Sequence, residues 1–174
     1  MHDQAPLVVQ RFERVVQSKK DQSKCIGIFG KAEDHLGQAG IEFSVVGEPI
    51  AQPRHRATKI GGKVRMYLPN KHPVNDWKKR IIELAMVVHN HREPFVGPLE
   101  LHLDFCFPTP KTVKRSGWKD TKPDLDNCIK ACMDAMTDAN IWEDDKQVCV
   151  LKSTKKWANS DETPRVDIRL KPCD

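Results

Sequence analysis

No run of about 18 apolar residues occurs anywhere in these 174 residues, which excludes a membrane-spanning helix from the sequence reading. The opening stretch MHDQAPLVVQRFERVVQ is broken by Gln, Arg and Glu and lacks the apolar core of a secretory leader, so a cytoplasmic location is expected. Cys-x-x-Cys is absent. The six cysteines, Cys25, Cys106, Cys128, Cys132, Cys149 and Cys173, show no Cys/His spacing of a zinc module, and buried reduced thiols are the ordinary expectation for them. The segment HNHRE (89–93) offers two histidines, but residues two apart do not share a helix face, so it reads as a polar helix terminus. Internal repeats are missing as well, and at this length one domain is expected.

What is present is charge. Charged residues make up 30% of the chain against 39% apolar, enough for one core under a strongly solvated surface, with a net charge of +5. Residues 1–40 read as an N-terminal extension. LVVQRFERVVQ sets Val8, Phe12, Val15 and Val16 on one helical face, and a polar linker follows. Residues 41–174 read as the domain proper. IEFSVV (41–46) alternates Ile41, Phe43 and Val45 as a strand, and KVRMYL (63–68) reads as its partner across a Gly/Pro-punctuated basic loop. PVNDWKKRIIELAMVV is helical, with Pro73 at its start and Val74, Trp77, Ile81, Leu84 and Val88 in register. PLELHLDFCF alternates Leu99, Leu101, Leu103, Phe105 and Phe107. LDNCIKACMDAMTDA is a second helix with Leu125, Ile129, Cys132, Met133 and Met136 as its stripe, and QVCVLKSTKKW and RVDIRL are closing strands. The order ββαβαββ predicts an α+β domain, a mixed sheet carrying two helices.

The charge is segregated. Nine Lys/Arg and one acid, Asp76, lie between Gln52 and Ile82, and four more basic residues and no acid lie in KTVKRSGWK (111–119). A solvated basic face is the plain reading of either run, but two such loops flanking an acidic cluster point to a polyanion. The cluster is KPDLDNCIKACMDAMTDANIWEDDKQV (122–148), which holds seven of the chain's 24 acidic residues. Asp124 and Asp126 form an Asp-x-Asp pair at a loop-to-helix junction, where two carboxylates can converge. Lys130 lies four residues after Asp126 on the same helical face. Asn140 suits a left-handed helix end, after which Glu143, Asp144 and Asp145 lead into a strand, and a helix followed by a return strand can place one of them beside Asp124 and Asp126. Asp at a helix start is also a common cap, worth about 1 kcal/mol, and Glu143–Asp145 can be a polar turn. Against this, adjacent carboxylates repel unless a cation lies between them, and hard oxygen donors flanked by basic loops suit Mg²⁺ or Mn²⁺ with a phosphodiester.

Asp-x-Asp-Asn-x-x-Lys, a helix, and then Asp-Asp before a strand resembles the signature of the RusA family of Holliday-junction resolvases of bacteria and their prophages. The resemblance spans roughly residues 41 to 170 and is most specific over 122–148; QPRHRATKIGGKVRMYLP also resembles the family's basic segment. It implies a cytoplasmic, bacterial or phage-encoded homodimer that uses Mg²⁺ to cut four-way DNA junctions symmetrically in two strands, in recombination and repair. It assigns the essential carboxylates to Asp124, Asp126 and Asp145 and the essential lysine to Lys130, with Asp144 and Asn127 assisting. DNA backbone contacts are expected from Arg54, Arg56, Lys59, Lys111, Lys114 and Arg115. The alternative is a non-catalytic nucleic-acid-binding module whose acids are caps and turns. A nuclease acting on simple duplex or flap DNA is the third reading.

Overall fold

Alternating apolar residues build the main sheet. In the computed structural model, which describes residues 40–53, 56–60, 63–67, 72–111 and 117–173, the elements are β1 (Ile41–Val46), β2 (Arg56–Ile60), β3 (Lys63–Tyr67), α1 (Val74–His89), β4 (Leu99–Phe107), α2 (Leu125–Asp138), β5 (Val148–Trp157) and β6 (Arg165–Pro172). The extension predicted over 1–40 lies, but for Gly40, outside the described residues. The four-stranded sheet runs β1-β6-β4-β5. β6 is antiparallel to both β1 and β4, and β5 is parallel to β4, so the sheet is mixed as expected. Parallel neighbours need a crossover, which here is the segment containing α2. The expected pairing of KVRMYL with β1 is not formed. β3 pairs instead with β2, RATKI, in a separate two-stranded sheet, because a hairpin closes more locally than a pairing across the whole basic loop.

The core lies between one face of the sheet and the two helices. Ile41, Phe43 and Val45 of β1, Leu99, Leu101, Leu103, Phe105 and Phe107 of β4, and Val166, Ile168 and Leu170 of β6 are all buried. Each such side chain contributes roughly 1.5–3 kcal/mol relative to exposure. α1 buries Val74, Trp77, Ile81, Ala85 and His89; α2 buries Cys128, Ala131, Cys132, Ala135 and Met136. Leu125, Ile129 and Met133, expected at the centre of the α2 stripe, are only partly buried at its flank. The alanines, being small, take the centre and let the helix approach closely. His89 packs its ring on Phe95 with centroids 5.4 Å apart, and burial lowers its pKa, so the HNHRE segment is a helix end anchored in the core. Cys106, Cys128 and Cys132 are buried; burial pushes the Cys128 thiol up to about 11 and Cys132 higher still. Cys149 is exposed, contrary to the general expectation, because it lies on the sheet's open edge.

Backbone geometry defines both ends of α2. The helix begins at Asp124, which has extended backbone (φ −69°, ψ 140°). It ends in a left-handed turn at Asn140 (φ 54°), where Ile141 N–H donates to Met136 O at 3.1 Å and Asn140 N–H to Thr137 O at 2.9 Å. These bonds satisfy the last carbonyls of the helix, as expected of an Asn at this position.

Candidate active site

At the N-terminal end of α2, Asp124 occupies the cap position without making a side-chain cap hydrogen bond, and Asp126 sits exposed in the first turn. The loop before them is held by two lysines. Lys155 of β5 donates from Nζ to the carbonyls of Thr121 at 2.8 Å and Pro123 at 2.6 Å. Lys119 donates to Thr121 O at 3.2 Å, to Thr121 Oγ1 at 2.7 Å and to Lys122 O. Three consecutive carbonyls immediately before Asp124 are therefore fixed by ammonium groups. Lys119 is buried, with its Nζ 4.2 Å from the Trp157 ring centroid and 5.3 Å from that of Phe107, and burial lowers its pKa. By sequence it belongs to the second basic loop; turned inward, it organises that loop rather than facing solvent. Sequence reading missed both lysines, since nothing in the local pattern separates an inward Lys from an outward one.

At the other end of α2 stand Asp144 and Asp145. Asp144 caps a short 3-10 turn, Asp145–Gln147: its Oδ1 accepts from Lys146 N–H at 2.9 Å, while Gln147 Oε1 accepts from Asp144 N–H at 3.1 Å. Gln147 Nε2 ties this turn to Phe95 O at 2.8 Å. Asp144 is thus committed to a cap, whereas the exposed Asp145 forms no side-chain hydrogen bond or ion pair among the described residues. Both line a groove with Lys78, Asp134, Thr137 and Asp138. Asp134 accepts from Lys130 Nζ and from Lys78 Nζ, each at 3.1 Å, so Lys130 leans along α2 toward its C-terminal half rather than onto Asp126.

The two acid sets are separated by the helix itself. At about 1.5 Å per residue its 14 residues span ~20 Å. Among the described residues of one chain, no three His, Cys, Asp or Glu come together as a metal site. The strand after the helix does return to Asp124, but it delivers Lys155, ten residues beyond Asp145. Asn127 is half-buried, and its carbonyl accepts from Gln52 N–H at 2.9 Å.

That last bond sets the root of the first basic segment beside Asp126. From it rise β2, carrying Arg56 and Lys59, and β3. The second basic segment leaves β4 at Phe107, whose strand partner is Trp157, close to Lys155. Lys111 in it is exposed; Arg54, Lys114 and Arg115 lie outside the described residues. Both basic segments thus start from the end of the fold that carries Asp124 and Asp126. The profile of the family described as Endodeoxyribonuclease RusA matches residues 46–171. The chain belongs to the RusA endodeoxyribonuclease family. It is similar to the uncharacterized protein YqaN of Bacillus subtilis (strain 168), 34% identical over 142 residues, covering 75% of this chain and 95% of that one. It is also similar to the crossover junction endodeoxyribonuclease rusA of Lactococcus phage r1t, 27% identical over 132 residues with the same coverage. The RusA match takes in both acid sets, Lys119, Lys130, Lys155, strands β4 and β5, and β6 but for its last residue; of β1 it includes only Val46. As a RusA-family chain it is a nuclease.

Proposed function

We propose that this protein is a structure-selective endodeoxyribonuclease that resolves four-way DNA junctions by paired hydrolysis of phosphodiesters, in recombination and repair, using Mg²⁺ or, in its place, Mn²⁺. The observation that carries this reading is the Asp124–Asp126 pair, standing between the roots of two basic segments in a RusA-family chain. The same geometry disfavours the binding-module alternative at its main point: Asp124 makes no cap hydrogen bond, although Asp144 does.

Paired cuts require two sites, and the split acids favour a twofold pair of chains. β5 is the outer strand of the sheet; Trp118 bridges its far end at Lys156, and the stretch Val148–Thr154 is open, with Cys149 exposed and Val150 and Leu151 uncovered at 38% and 45%. Antiparallel pairing of this open stretch with that of a second copy points the Val148 end of one strand toward the Trp157 end of the other. Asp145 of one chain then approaches Asp124 and Asp126 of its partner, twice by symmetry, with both α2 helices on the same face. Three carboxylates so gathered are mutually repulsive without a cation among them, which suits a hard divalent ion. When bound, such an ion neutralises charge on the scissile phosphate and lowers the pKa of a water poised for in-line attack. Lys130 contributes positive charge to the phosphate, and the basic segments hold the DNA arms without sequence readout. The test is cleavage of a labelled four-way junction and a matched linear duplex by the purified protein, with Mg²⁺ or EDTA. Symmetric paired nicks in the junction alone, only with Mg²⁺, are expected. Binding without cleavage under every metal condition would return the protein to the class of binding modules.

A further inference from the structure

Trp118 is 75% exposed, the most exposed of the large apolar side chains described. Such exposure usually belongs to a free loop, but here the backbone on either side is pinned. Gly117 O accepts from Trp157 N–H at 2.8 Å, and Lys119 N–H donates to Lys155 O at 3.0 Å, so residue 118 bridges onto Lys156 at the end of β5. Lys119 then plugs inward against Trp157 and Phe107. Gly117 has φ +142°, a conformation that L side chains rarely adopt, and it turns the chain into this bridge. Further along the same loop, the Pro123 carbonyl is held by Lys155, the same residue whose backbone anchors Lys119. Five residues of chain lie between Trp118 and Asp124, a span of at most ~22 Å even if fully extended. An indole is thus presented rigidly to solvent, at the end of a basic loop and a short length of chain from the acid pair.

Resting on the junction-resolving reading above, we propose that Trp118 is a stacking site for an unpaired nucleobase at the branch point. In intact duplex the faces of the bases are covered by their neighbours. At a four-way crossing the terminal pairs can open and expose a face, and an indole fixed beforehand stacks on it at little entropic cost. Base–aromatic stacking contributes about 1–3 kcal/mol per base and tolerates any sequence. The site therefore adds recognition of the branch to the phosphate contacts, which do not distinguish branch from arm.

The experiment uses the full-length protein, its Trp118→Ala and Trp118→Phe variants, and Ca²⁺ in place of Mg²⁺ to suppress cutting. Binding is measured to a four-way junction with 2-aminopurine at the branch, to linear duplex, and to linear duplex bearing a short single-stranded gap with 2-aminopurine. Trp118→Ala is expected to lose the fluorescence change and about 5- to 150-fold in junction affinity, with duplex affinity unchanged and Trp118→Phe retaining most of both. Unchanged 2-aminopurine signals and affinities in Trp118→Ala would overturn the proposal. So would an equal loss on junction and duplex, which marks a general contact, or a change in the association state of the free protein, which marks a subunit contact. If wild type binds gapped duplex as tightly as the junction while Trp118→Ala loses both, stacking stands and junction selectivity falls.

Discussion

Asp134 holds two ammonium groups, Lys130 and Lys78, at a helix surface with 24% of its side chain exposed. Surface ion pairs of this kind contribute only about 0–1 kcal/mol to stability, so their value is positional. Asp134→Asn is expected to leave the thermal midpoint within a few degrees of wild type while lowering the single-turnover cleavage rate, because Lys130 loses its tether. Lys130→Ala should lower the rate by roughly 10²-fold with a much smaller change in junction affinity; a loss confined to affinity would reduce Lys130 to a backbone contact. Asn at Asp124, Asp126 or Asp145 should abolish cleavage while junction binding survives or tightens, since each change removes negative charge facing DNA. Asp144→Ala belongs to a different class. It removes a turn cap, so it should cost about 1 kcal/mol of stability, read by urea unfolding, and less activity than Asp145→Asn.

Among the elements, the outward face of the sheet carries a charge ladder. Glu100 of β4 accepts from His102 at 2.6 Å, from Lys152 of β5 at 2.8 Å and pairs with Lys171 of β6 at 3.1 Å. The hydrogen bond from Lys152 is the largest of the causes that lower its pKa from 4.5 to about 2. A depressed carboxylate stabilises the fold above its unfolded pKa and ceases to do so as pH falls through the folded one. The urea midpoint should therefore decline between about pH 4.5 and pH 2, and Glu100→Gln should flatten that decline while lowering the midpoint at neutral pH. Under the proposed function the basic segments act on DNA instead. Alanine at Arg56, Lys59 or Lys111 should lower the slope of log affinity against log salt by about one unit for each phosphate that is no longer neutralised, and the Asp124 variant should leave it unchanged. Strands β1, β4 and β6 were readable because their alternation is the direct imprint of a half-buried sheet. β2 was not: RATKI is charged and flanked by loop residues, and only its pairing with β3 makes it a strand. β5 gave no clean alternation because one of its sides is open. Asp124, Asp126 and Lys130 could be named from spacing, and Asp145, among three neighbouring acids, from the family resemblance, but spacing along a chain does not measure distance across a helix. The separation of the two acid sets, and the arrival of Lys155 where a carboxylate is expected, come from the length of α2 and the direction of β5.

For the molecule as a whole, the separated acids make a mixing experiment decisive. Asp124→Asn protein and Asp145→Asn protein should each be inactive alone. In a mixed pair, one site combines both substitutions and the other combines neither. Mixing the two should therefore restore single nicks in a junction, though not paired ones; no restoration would mean that each site is built within one chain. The open β5 edge has a second consequence, which concerns solubility. The outward backbone groups of Val148–Thr154, on the side of β5 away from β4, together with the uncovered Cys149, Val150 and Leu151, form a template that an extended chain can join. Lys152, next in line and exposed, is the charge that guards it. A cell that makes this protein must keep that edge from recruiting the wrong strand, and Lys152→Val should shift the purified protein from a defined species toward light-scattering aggregates.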